Sequence, residues 1–127
     1  MLDWSGMPAA KALEYFEMIC GIPHPSGCVQ EISDFCVAFA KERGLKFRQD
    51  EAGNVVIWKA ASPGREKDRT VMIQGHLDMV PAAAEGKSFD FTREPLSLSV
   101  DGDFLHADGT TLGADDGIAV ADRKSVV

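Results

Sequence analysis

The sequence predicts an α/β layered domain, and three observations carry that expectation. Two stretches near the start repeat apolar residues at helical spacing. The middle holds a short apolar run, "TVMIQ", that leads into "GHLDMVP". Further on, "TTLGADDGIAVA" passes from strand-like residues through glycines into a helical pattern. In layered sheets the ligand site lies beyond the carboxyl ends of the strands. His76 and Asp78 stand at one such end, and Asp115 and Asp116 at another.

Taken in order, residues 8–20 place Ala12, Leu13, Phe16, Ile19 and Cys20 three and four apart, with Pro8 suited to a first turn and Gly21 to a stop. That is a helix. "GIPHPSG" is rich in proline and glycine and forces a loop. Ser26 or Gly27 is placed to cap a second helix with the face Val29, Ile32, Phe35, Cys36, Phe39 and Ala40, closed by Gly44. "LKFRQDEAGNVVIWKA" reads as strand, turn at Ala52, Gly53 and Asn54, and strand, because Val55, Val56 and Ile57 are β-branched. The charged "SPGREKDR" connects to residues 70–74, read as a central strand covered on both faces. "LSLSVDGDFLHADG" alternates Leu96, Leu98 and Val100, turns at Asp101 and Gly102, and returns through Phe104 as a hairpin. A short strand at "TTL", a glycine-marked turn and a helix from near Gly117 complete the chain. No internal repeat or low-complexity segment interrupts it.

At 127 residues the chain holds one domain or less, since domains run to roughly 100–200 residues. Its 45% hydrophobic and 26% charged residues suit a soluble globular protein and exclude a disordered one. Thirteen basic residues against twenty acidic ones give a charge of −7 without a basic stripe, so nucleic acid is not an expected partner. The start lacks the basic and apolar regions of a secretory signal, and nowhere do apolar residues run long enough to span a bilayer. The expectation is a cytoplasmic protein with no membrane partner. Cys20, Cys28 and Cys36 form no C-x-x-C pair and read as reduced thiols, Cys20 and Cys36 on apolar helix faces.

A neutral imidazole ligates zinc best when its other ring nitrogen donates to a carboxylate. Asp78, two residues beyond His76, falls on the same side of extended backbone and can be that carboxylate. "GADDG" supplies successive carboxylates between glycines, and Asp115 is the candidate to bridge two cations, as a two-metal hydrolytic site requires. Taken alone, each motif has a plainer reading. H-x-D is also a surface hydrogen-bonded pair, and Asp115 and Asp116 also cap a helix.

"IPHPSG", "DEAGNVVIWKA", "QGHLDMVP" and "VDGDFLHADGTTLGADDGIAVA", in this order over residues 8–121, resemble the N-terminal part of the aminoacyl-histidine dipeptidases, also called cytosol non-specific dipeptidases, of the di-zinc aminoacylase and carboxypeptidase superfamily. The resemblance implies the N-terminal part of a three-layer α/β/α zinc-peptidase catalytic domain, incomplete at 127 residues. It implies that His76 binds one zinc ion, that Asp115 bridges two, and that Asp78 orients His76 as the catalytic aspartate; other divalent metals are compatible. It implies a cis peptide between Asp115 and Asp116, with Asp116 standing where the family often has asparagine. The implied substrate is a dipeptide, Xaa-His or broader, and the implied parent is a homodimer.

The general-base glutamate, the remaining metal ligands and the lid or dimerisation domain lie, in that family, past the equivalent of residue 127, so the chain alone is expected to be inactive and unstable. The resemblance stops at Ala121, and "DRKSVV" is expected to be a non-native tail over residues 122–127. GAT CGG AAG AGC GTC GTG encodes those residues and, with a TAG stop, matches a common sequencing-adapter string. Two alternatives stand beside the dipeptidase. A metal-dependent N-acyl amino acid deacylase of the same superfamily would share the zinc ligands. A non-catalytic calcium module would use Asp101, Asp103, Asp108, Asp115 and Asp116, but an EF-hand loop begun at Asp101 meets His106 and Leu112 where glycine and glutamate are required. His24 and His106 read as hydrogen-bonded loop residues rather than ligands.

Overall fold

A computed structural model describes residues 1–125. Val126 and Val127 of the expected tail lie outside the described residues. Helix α1 (Ala10–Cys20) buries Ala12, Tyr15, Phe16, Ile19 and Cys20, the apolar face its spacing predicts except that Leu13 is only half-buried and Tyr15 is added. Helix α2 (Gln30–Glu42) buries Ile32, Ser33, Cys36, Val37, Phe39 and Ala40. Its start differs from expectation: neither Ser26 nor Gly27 caps it. Val29 holds the cap position without a side-chain bond, and the amide of Cys28 closes a turn onto the Pro25 carbonyl.

Strands β1 (Lys46–Gln49) and β2 (Val55–Trp58) pair antiparallel from Lys46↔Trp58 to Gln49↔Val55. The Asp50 carboxylate shapes their turn by accepting the amides of Ala52 and Asn54 and the Asn54 side chain at 3.0, 2.9 and 2.8 Å. Gly53, at φ 84°, exposes its carbonyl to the buried Ser33 hydroxyl at 2.7 Å, which ties the hairpin to α2. Strands β3 (Leu98–Asp101) and β4 (Phe104–Ala107) form the second hairpin, with Gly102 and Asp103 as its tip. Helix α3 (Ala114–Ser125) crosses α1, and Ala121 joins Tyr15, Phe16, Ile19, Cys20, Ile32 and Phe39 in one core cluster. Gly117 makes the crossing close, since a Cβ there would stand 3.0 Å from the Phe16 ring.

Residues 70–74 do not form the expected central strand. Val71, Met72 and Ile73 are 78%, 84% and 56% exposed. A strand exists only by pairing its amides and carbonyls, and no described strand lies alongside. The expected strand at "TTL" is likewise a single bridge, Ala83↔Thr110. The result is a mixed helix and strand arrangement, an incomplete α/β domain with two separate two-stranded sheets among the described residues. No described helix is long and apolar enough to cross a membrane.

Candidate functional site

The segment carrying His76 and Asp78 is held at its far end. Met79 is buried, its amide donates to the His24 carbonyl, and its carbonyl accepts the Ser26 amide, both at 3.0 Å. The Thr111 hydroxyl donates to the Val80 carbonyl at 2.6 Å and brings the approach to α3 alongside. Gly113, at φ 72°, lets that approach run close, because a Cβ there would stand 3.0 Å from the Met79 sulfur. Asp115 and Asp116 follow with non-helical dihedrals and a cis peptide between them, as the resemblance implied. Helical dihedrals resume at Gly117, where the helix was expected.

This path brings the two motifs together. His76 Nε2 lies 3.0 Å from Asp115 Oδ1, across 39 residues of sequence. Its Nδ1 lies 3.1 Å from Asp78 Oδ1 and 3.0 Å from the Asp78 carbonyl. The Ser26 hydroxyl donates to the other Asp78 oxygen at 2.5 Å. The His76 amide donates to Asp116 Oδ2 at 3.3 Å. The side chains of His76, Asp78 and Asp115 are 53%, 39% and 96% exposed, so the pairing is open to solvent and to an incoming ion.

The electrostatics follow from these contacts. Asp115, and then Asp78, raise the His76 pKa above its ordinary value by favouring the imidazolium. The Ser26 hydrogen bond is the main reason that the Asp78 carboxyl is held below the usual range. A carboxylate at each ring nitrogen favours the protonated form of the ring. A cation on Nε2 would compete with the proton there, because both use the same lone pair.

The donor chemistry fits part of a zinc site. An imidazole nitrogen and a carboxylate oxygen 3.0 Å apart approach the edge of a tetrahedron with bonds of about 2.0 Å, which is roughly 3.3 Å. Asp78 supplies the partner that a ligating imidazole needs on its other nitrogen. Among the described residues no group of three or more histidine, cysteine, aspartate or glutamate side chains is placed to hold a metal ion. His24 is buried with Nδ1 2.5 Å from the Ile22 carbonyl, and His106 lies on exposed β4. Asp108 pairs with Lys87 at the base of the second hairpin. Sequence reasoning missed Ser26, taken for a helix cap, and no local signal connects it to a residue 52 positions away.

No protein-family profile matches the chain. Over all 127 residues it is 41% identical to the cytosol non-specific dipeptidase of Escherichia coli K12, and it spans 26% of that protein. The crystal structure of aminoacylhistidine dipeptidase from Vibrio alginolyticus matches 98% of the chain at a TM-score of 0.92 and 41% identity, again over 26% of its own length. The fold is thus an incomplete α/β domain similar to part of a dipeptidase. More particularly, the chain matches about a quarter of the cytosol non-specific, or aminoacylhistidine, dipeptidases over nearly its whole length.

Proposed function

We propose that this chain is the N-terminal part of the catalytic domain of a metal-dependent dipeptidase and that it contributes His76 and Asp115 to a two-zinc centre. One observation supports this above the others: His76 Nε2 and Asp115 Oδ1 converge to 3.0 Å from opposite parts of the sequence. The 41% identity to a dipeptidase supplies the reaction class. Zinc, when bound, supplies Lewis acidity to a peptide carbonyl and lowers the pKa of water beside it. The chain's own residues prepare for that. Asp78 would hold the proton on Nδ1 and leave Nε2 for the metal, and Asp115 would supply a carboxylate beside that nitrogen.

The substrate in this reading is a dipeptide, of the Xaa-His type or broader, cleaved in the cytoplasm by a homodimer. The 127-residue chain alone is inactive, because two donors do not complete a centre. Residues 122–127 form a non-native tail in the same reading.

The test is hydrolysis of Xaa-His and other dipeptides, beside N-acetyl amino acids, by the full-length enzyme with and without zinc. Zinc-dependent dipeptide cleavage that His76→Ala and Asp115→Ala each reduce at least a thousandfold is the expected result. Cleavage of N-acetyl amino acids alone would make the protein a deacylase, and full activity in either variant would remove the proposed site.

A further inference from the structure

We infer that Ser26 is a positioning residue for this site, acting on His76 through Asp78; the inference rests on the dipeptidase reading. The Ser26 hydroxyl has one proton and two acceptors in reach, Asp78 Oδ2 at 2.5 Å and the Met79 carbonyl at 3.3 Å. The shorter contact, to a charged acceptor, takes the proton. Asp78 then has its two oxygens divided, Oδ2 to Ser26 and Oδ1 to His76 Nδ1. Rotation of that carboxylate breaks one bond or the other, so Ser26 fixes the plane in which Asp78 meets the imidazole.

The hydroxyl is itself held by backbone. Ser26 donates its amide to the Met79 carbonyl, Pro25 bridges Met79, and His24 accepts the Met79 amide through its carbonyl. His24 is 2% exposed, so the loop that delivers Ser26 is anchored in the interior while the hydroxyl stays at the site. Asp78 and its own carbonyl both accept at Nδ1, which keeps a proton there and leaves Nε2 facing Asp115. Without Ser26 the carboxylate gains rotational freedom, and the imidazole loses a fixed orientation. Outer partners of metal ligands matter by about 10–100-fold in affinity or activity. Ser26 stands one bond further out, at the low end of that range.

The experiment compares wild type, Ser26→Ala and Ser26→Thr in the full-length enzyme. Zinc affinity is measured by chelator competition, kcat and KM separately, and thermal stability alongside. Ser26→Ala is expected to lower zinc affinity and kcat about tenfold, with KM and melting temperature little changed, and Ser26→Thr is expected to restore both. In an Asp78→Asn background, Ser26→Ala should add nothing to the loss of zinc affinity. Unaltered zinc affinity in Ser26→Ala, a loss that threonine does not recover, or an additive loss in the double variant overturns the inference. A wild-type enzyme that cleaves no dipeptide overturns the dipeptidase reading instead, and the zinc-affinity comparison still judges Ser26.

Discussion

The Asp116 carboxylate fills the space into which a side chain at Gly75 would extend: an ideal Cβ at Gly75 would stand 2.7 Å from Asp116 Oδ2 and 3.3 Å from Val120. The same oxygen accepts the His76 amide, so the absence of a side chain at residue 75 is what lets the two motifs dock. Gly75→Ala must push Asp116 away and break that contact. The expected loss is at most about 1 kcal/mol of stability, since residue 75 is exposed and the atom that must move ends a side chain, together with separation of His76 from Asp115. Urea unfolding of the chain and kcat/KM of the full-length variant measure the two effects; unchanged values in both would show that the docking tolerates a methyl group.

Lys124 gives a pH dependence. It is buried against Phe35, with its ammonium 3.5 Å from the ring centroid and 4.5 Å from that of Phe39. Burial lowers its pKa from 10.5 to about 8. For this group the unfolded chain therefore binds more protons between those two values, so the Lys124 contribution rises from about pH 8 toward 10.5, against the opposite contribution of the buried Cys20 and Cys36 thiols, whose protons the unfolded chain loses first. Below that window the folded state carries the full penalty, roughly 3 kcal/mol. Lys124→Met should stabilise the chain at pH 7, with the gain shrinking from about pH 8 toward 10.5, read from urea midpoints by the fluorescence of buried Trp4. A difference between wild type and Lys124→Met that stays constant across that window would contradict the burial.

The three cysteines separate by environment. Cys20 and Cys36 are buried and Cys28 is exposed. Burial pushes the Cys20 thiol up to about 12 and raises Cys36 as well, so neither forms the reactive thiolate near neutrality. Alkylation of the native chain at pH 7.5 should label Cys28 alone, and all three should react in denaturant. Mass spectrometry that finds Cys20 labelled as fast as Cys28 would refute the packing of α1 against α3.

Val71, Met72 and Ile73 form an exposed apolar segment with unpaired backbone. Such a segment recruits other strands, including copies of itself. The 127-residue chain should self-associate at micromolar concentration, and Met72→Lys should raise its soluble yield severalfold, as light scattering and sedimentation report. A wild-type chain that stays monomeric at high concentration would show the segment to be protected.

Local features were legible in the sequence because they arise between near neighbours. Periodicity located α1 and α2, β-branched residues and turn chemistry located both hairpins, and the glycine between Asp116 and Ile118 marked where regular helix resumes. The family motifs pointed to His76, Asp78 and Asp115 before any distance was known. Residues 70–74 were misread because apolar composition is necessary for a central strand but pairing creates one. Ser26 was misread because serine before a helix and serine beside a distant carboxylate look alike in one dimension.

The sequence by itself determined which residues could do chemistry and which short elements would carry them, since helical period, turn residues and side-chain type are properties of adjacent positions. Only the tertiary structure decided that His76 meets Asp115, that Ser26 serves Asp78 rather than α2, and that Gly75 must yield space to Asp116. Those contacts join residues 39, 52 and 41 positions apart. Their existence depends on how buried Met79 and the crossing of α1 by α3 bring distant backbone together.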